Sequence, residues 1–120
     1  MSLSILIVDD EAQVRRILKL ILERAGHTVR EVETGQEALS ACQATGFDLI
    51  ITDLGLPDVN GIELIQRLKA QRPEQKILAV SGSIDPAFLE HVQSLGVQSM
   101  QKPLLPQSVL ETVEGLCKPE

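Results

Sequence analysis

Five short runs of apolar and β-branched residues alternate along the chain with five segments whose apolar positions recur at helical spacing. The runs cover residues 3–8, 28–32, 49–52, 77–80 and 97–101. After the first, Val14, Ile17, Leu18, Ile21, Leu22 and Ala25 repeat with the period of a helix, and Gly26 supplies its C′ stop. Thr34 and Glu37 form a capping box ahead of Ala38, Leu39 and Cys42, and Gly61, Leu64, Ile65 and Leu68 make a third stripe. Asp85 before Pro86 opens a fourth through Phe88, Leu89, Val92 and Leu95; Pro106 opens a fifth through Val109, Leu110, Val113 and Leu116. Such alternation predicts an α/β domain built on a parallel sheet.

The strands also differ in kind. Runs one, three and four are almost wholly apolar, as strands covered on both faces must be, whereas runs two and five mix polar with apolar residues and belong at the edges. Right-handed crossovers and a preference for sequential neighbours then make 2-1-3-4-5 the simplest order. The expected fold is a doubly wound, five-stranded parallel sheet with helices one and five on one face and helices two to four on the other. In such sheets ligands gather at the carboxyl ends of the strands flanking the reversal, here strands one and three.

Composition narrows the function classes. A chain of 120 residues fits a single domain, expected over residues 1–120 with its core at about 4–117, and is too short for a two-domain enzyme. Eleven Lys and Arg against seventeen Asp and Glu leave a net charge of −6, which opposes a large nucleic-acid footprint. Phe47 and Phe88 are the whole aromatic complement, so no base-stacking platform exists. Cys42 and Cys117 have no CxxC companion, and His27 and His91 belong to no ligand set or triad. The chain lacks both an apolar run of the ~18–20 residues a membrane span needs and a signal peptide, so a cytoplasmic location is expected. Residues 118–120 stand where a linker to an output domain would begin.

The strand ends carry the chemistry. Strand one ends in Val8-Asp9-Asp10 and strand three in Ile51-Thr52-Asp53; neighbouring strands lie about 4.8 Å apart, so three carboxylates share one pocket. Two like charges ~4 Å apart repel by about 1 kcal/mol in water and by about 4 at an effective dielectric of ~20. Mg²⁺ would relieve them, since it takes oxygen ligands and needs few carboxylates. A single Asp at such a place reads equally as a helix N-cap. Strand four ends in Val80-Ser81-Gly82, offering a hydroxyl and backbone N–H groups, and strand five in Gln101-Lys102-Pro103, offering an ammonium. Taken singly, these are a turn and a solvated charge before a bend; taken together, they are the donors a phosphorylated carboxylate requires. No nucleotide-cradling GxxxxGK[ST] or GxGxxG loop is present. Arg15 and Arg16 fit a solvated helical face or a kinase-docking contact, and Leu104 and Leu105 either a docking patch or packing.

Asp9-Asp10, Asp53 with Leu56-Pro57 and Gly61, Ser81-Gly82 and Lys102-Pro103 together resemble the receiver domain of two-component response regulators, of the flavodoxin-like, chemotaxis-regulator type, over about residues 4–116. The resemblance implies that Asp53 accepts a phosphoryl group from a phosphohistidine on a sensor histidine kinase or histidine phosphotransfer protein. It further implies Mg²⁺ held by Asp10, Asp53 and the Gly55 backbone carbonyl, with Asp9 assisting through water. Lys102 would pair with the phosphoryl oxygens, Ser81 and Gly82 would form the switch, and the Lys102-Pro103 bond would be cis. Such a domain is no enzyme beyond catalysing its own phosphorylation and dephosphorylation. It would signal to an output domain or target protein, with phosphorylation-dependent homodimerisation as one route and no direct contact with nucleic acid or membrane. A phosphate-independent interaction module is the alternative, and an aspartyl-phosphate phosphatase a more distant one, because Asp9 and Asp10 are adjacent rather than a DxD pair. Several positions depart from the family pattern. Ser81 replaces a frequent Thr, Ser99 stands at the switch aromatic, the segment from Gly96 to Lys102 is one residue short, and Leu104 replaces a frequent Phe. Gly55 and Ser83 occupy two variable positions that in the family tune phosphoryl loss.

Overall fold

In the computed structural model of the protein, residues 2–82 and 86–117 are described; Ser83, the expected cap Asp85 and residues 118–120 lie outside them. Strands β1 (Ser4–Val8), β3 (Leu49–Asp53) and β4 (Ile77–Ser81) are buried along almost their whole length, as aliphatic strands sandwiched between helices should be. Strands β2 (Thr28–Val32) and β5 (Gln98–Gln101) expose polar residues, Thr28, Arg30 and Glu31 in the first and Gln98 and Gln101 in the second. All pair in parallel in the order β2-β1-β3-β4-β5. The helices between them are α1 (Ala12–Arg24), α2 (Gly35–Ala44), α3 (Gly61–Gln71), α4 (Pro86–Ser94) and α5 (Pro106–Cys117).

Period-two alternation divides the core into two layers. Leu6, Val8, Ile50 and Ala79 meet the apolar faces of α2, α3 and α4, while Ile7, Ile51, Leu78 and Val80 meet those of α1 and α5. Helix α1 stops because Gly26 turns to φ 95°, letting its N–H reach the Glu23 carbonyl at 3.0 Å and the His27 N–H reach that of Leu22 at 3.1 Å. A residue with a Cβ there would meet the left-handed penalty of roughly 1–2 kcal/mol. Gly61 serves by absence of bulk, since a Cβ would lie 2.8 Å from the Leu54 carbonyl oxygen. Its close approach seats the start of α3 against the loop leaving β3. The Thr34–Glu37 capping box forms as expected.

Three particulars differ from the sequence expectation. Pairing runs one residue beyond the apolar stretch on both β3 and β4, where Asp53 opposes Val80 and Ser81 opposes Gln101. Asp53 and Ser81, expected at the strand ends, therefore belong to the hydrogen-bonded ladder itself. Ile17 is 50% exposed, because the buried arc of α1 passes through positions 15, 18, 21 and 22. Arg15 falls inside that arc and is buried, so it is no part of a solvated face, whereas Arg16 is exposed.

Candidate functional site

Asp9, the first residue after β1, is 2% exposed. Its backbone N–H donates to the Val32 carbonyl at 3.2 Å, its Oδ1 accepts the Glu11 N–H at 2.8 Å and its Oδ2 accepts Lys102 Nζ at 3.1 Å. Burial pushes its carboxyl above the ordinary Asp value; the Glu11 N–H and Lys102 oppose that shift, and the nearby Asp53 charge adds to it. Asp53 closes β3 with its Oδ1 accepting the Gly55 N–H at 3.2 Å and its Oδ2 3.8 Å from Lys102 Nζ. Asp10 and Glu11 are exposed at the rim.

Lys102, which follows β5, reaches back across the strand ends. Its Nζ lies 3.1 Å from Asp9 Oδ2 and 3.1 Å from Glu11 Oε1. Partial burial works against its charge, but hydrogen bonds to Glu11 and Asp9 and the charges of Asp9 and Asp53 outweigh that, so the ammonium is held above its ordinary value. The backbone is fixed too, for the Lys102 N–H donates to the Ser81 carbonyl at 2.7 Å. The Lys102-Pro103 peptide is cis.

One oxygen from each of Asp9, Asp10, Glu11 and Asp53 lies within 4.8 Å of the others. Four carboxyl groups meet one ammonium there, and the oxygen-only donor set with surplus negative charge fits a hard divalent cation such as Mg²⁺. The helix-cap alternative does not hold. The N-cap position of α1 is Glu11, with no side-chain cap bond, and α3 is capped by Asn60, whose Oδ1 accepts the Ile62 N–H at 2.8 Å. Sequence reasoning missed Glu11, although it extends the acidic run to three; its separate role appears only through its contact with Lys102.

The remaining predicted positions surround this cluster less tightly. Ser81 is buried at the end of β4, with Gly82 exposed after it. Ser99 is half-buried and, with Ser81, Leu89, Met100 and Gln101, lines a cavity of about 80 Å³. Gly55 is exposed beside Asp53. Leu104 packs on the α1–α5 layer, while Leu105 is 61% exposed. Among the described residues, no helix is long and apolar enough to cross a membrane.

Comparison with known proteins shows the family. Residues 5–114 match the family described as the response regulator receiver domain. The chain is 30% identical over 114 residues to the transcriptional regulatory protein ResD of Bacillus subtilis, covering 95% of this chain and 48% of that protein. It is 32% identical over 118 residues to SrrA of Staphylococcus aureus, covering 98% and 49% respectively. The chain thus spans about half the length of the curated relatives it matches. Among solved structures, chemotaxis protein CheY4 of Vibrio cholerae superposes with a TM-score of 0.89 at 27% identity, over 97% of this chain and 99% of that one. A CheY-like receiver domain protein from Methanospirillum hungatei gives 0.89 at 31% identity, over 93% and 90%.

Proposed function

Because this chain belongs to the response regulator receiver domain family, we propose that it is a phosphoacceptor module in which Asp53 takes a phosphoryl group from a phosphohistidine on a sensor histidine kinase or histidine phosphotransfer protein. The observation that carries this reading is the placement of Asp53 Oδ2 3.8 Å from Lys102 Nζ, within a cluster of four acids at the strand ends. An Asp53 carboxylate oxygen attacks phosphorus, the N–P bond breaks, and its electron pair passes to the imidazole nitrogen of the donor. Lys102 leaves its acidic partners to pair with the new phosphoryl oxygens, and Ser81 and the backbone beyond it at Gly82 turn toward them. Asp10, Asp53 and the Gly55 carbonyl would hold Mg²⁺, with Asp9 assisting through water. When bound, that ion neutralises charge on the phosphoryl oxygens.

The added charge of about −1.5 to −2 then redistributes contacts at the strand ends and across the adjoining surface. That surface signals to an output domain or target protein, or to a second copy, in the cytoplasm. In this reading residues 1–120 hold a single receiver domain. Acetyl phosphate with Mg²⁺ should add one phosphoryl mass to the protein, with none added to Asp53→Asn and little without the metal. No mass gain in the wild type under any condition would instead favour the phosphate-independent module.

A further inference from the structure

Arg15 is 9% exposed, yet it sits in the first turns of α1, where the helix dipole disfavours positive charge. A buried cation persists only when fully partnered. Its partners account for all three nitrogens: Nε donates to Glu31 Oε1 at 2.9 Å, Nη2 to Glu33 Oε1 at 3.3 Å, and Nη1 to the Asp9 backbone carbonyl at 2.7 Å. The Asp9 N–H is already bonded to Val32 at the end of β2. Both backbone polar groups of Asp9 are therefore anchored to the β2 end, one directly and one through the guanidinium.

From this geometry we infer that Arg15 is a positioning residue for the acidic site: by clamping the Asp9 carbonyl to Glu31 and Glu33 it holds the Asp9-Asp10-Glu11 turn in the arrangement that receives a divalent cation. The inference rests on the cation-binding reading above. The guanidinium spreads its donors over three nitrogens in a rigid plane and so spans a carbonyl and two carboxylates, whereas a compact ammonium would have to draw all three acceptors around one nitrogen. The clamp also joins the site to edge strand β2, which contributes no acid to the cluster.

Two other roles predict different results. If Arg15 acted on the site only through its charge, Arg15→Gln would remove a repelling cation and tighten Mg²⁺ binding, while Arg15→Lys would change nothing. If it merely stabilised the fold, both variants would melt earlier with unaltered affinity. The clamp predicts weaker binding in both, by about tenfold, the lower end of what loss of an orienting partner does to metal affinity. Isothermal titration of the intact chain with MgCl₂, beside thermal melts in EDTA, separates these outcomes. The charge-balanced Arg15→Gln/Glu31→Gln pair covers the case in which Arg15→Gln alone does not fold, and it too should bind Mg²⁺ about tenfold more weakly. Wild-type affinity retained in Arg15→Lys or in the folded double variant would overturn the clamp. A wild-type protein that takes up no Mg²⁺ would instead overturn the underlying site reading.

Discussion

Lys102 is the one cation that touches Asp9, Glu11 and Asp53 together among the described residues, and it does so at 3.1, 3.1 and 3.8 Å. It occupies the electrostatic place that a metal ion would share. Lys102→Met should therefore strengthen Mg²⁺ binding by about thirtyfold, since a unit charge and a divalent ion ~4 Å apart repel by about 2 kcal/mol in water. The same change should slow phosphorylation of Asp53 by acetyl phosphate, because the phosphoryl oxygens lose their donor. Mg²⁺ affinity that stays the same or falls in calorimetry would contradict this account. Asp9 contrasts with Lys102 in that its ionised form is the disfavoured one: its raised value means that Asp9 subtracts from stability as the pH climbs from the unfolded value of about 4 through the folded one, and the cost is constant above that.

At the scale of elements, the loop between β3 and α3 is tied to its neighbours by more than its own turn. Asp58 Oδ1 accepts the Gly35 N–H at 2.9 Å and its Oδ2 the Gln36 N–H at 3.0 Å, capping α2 from a distant part of the chain. Those backbone bonds hold its carboxyl below the ordinary Asp value. A depressed folded value means that the contribution is complete above the unfolded value of about 4 and is lost as pH falls through the folded one. Asp58→Ala should lower stability by about 1 kcal/mol at neutral pH, as loss of a helix cap does. In urea titrations that deficit should shrink toward zero below about pH 4, and a deficit unchanged by acid would rule out the carboxylate as its source. The Thr34–Glu37 box was legible in the sequence because its partners lie three residues apart. Asp58 was not, because its partners lie more than twenty positions away.

At the scale of the whole molecule, the carboxyl ends of β1, β3 and β5 and the start of α1 meet on one side of the sheet, so whatever binds there binds the folded state alone. Mg²⁺ at about a hundredfold excess over its dissociation constant should stabilise the protein by about 2.7 kcal/mol, a melting shift on the order of 10 °C. Circular dichroism suits the measurement because the chain has no Trp or Tyr. Asp10→Asn should lose most of the shift, and identical wild-type melts with and without the ion would refute the linkage. The sheet order followed from sequence because an aliphatic strand needs cover on both faces and a mixed strand does not, which put β2 and β5 at the edges. The convergence of Asp9, Asp10, Asp53 and Lys102 was equally readable, since each closes or directly follows a strand and parallel strands end together. Sequence spacing could not determine that Arg15 is buried, that Glu11 shares Lys102, or that Asp58 caps α2. Each depends on where a side chain from one element meets a backbone or charge on another, and only the assembled packing of helices on the sheet decides that.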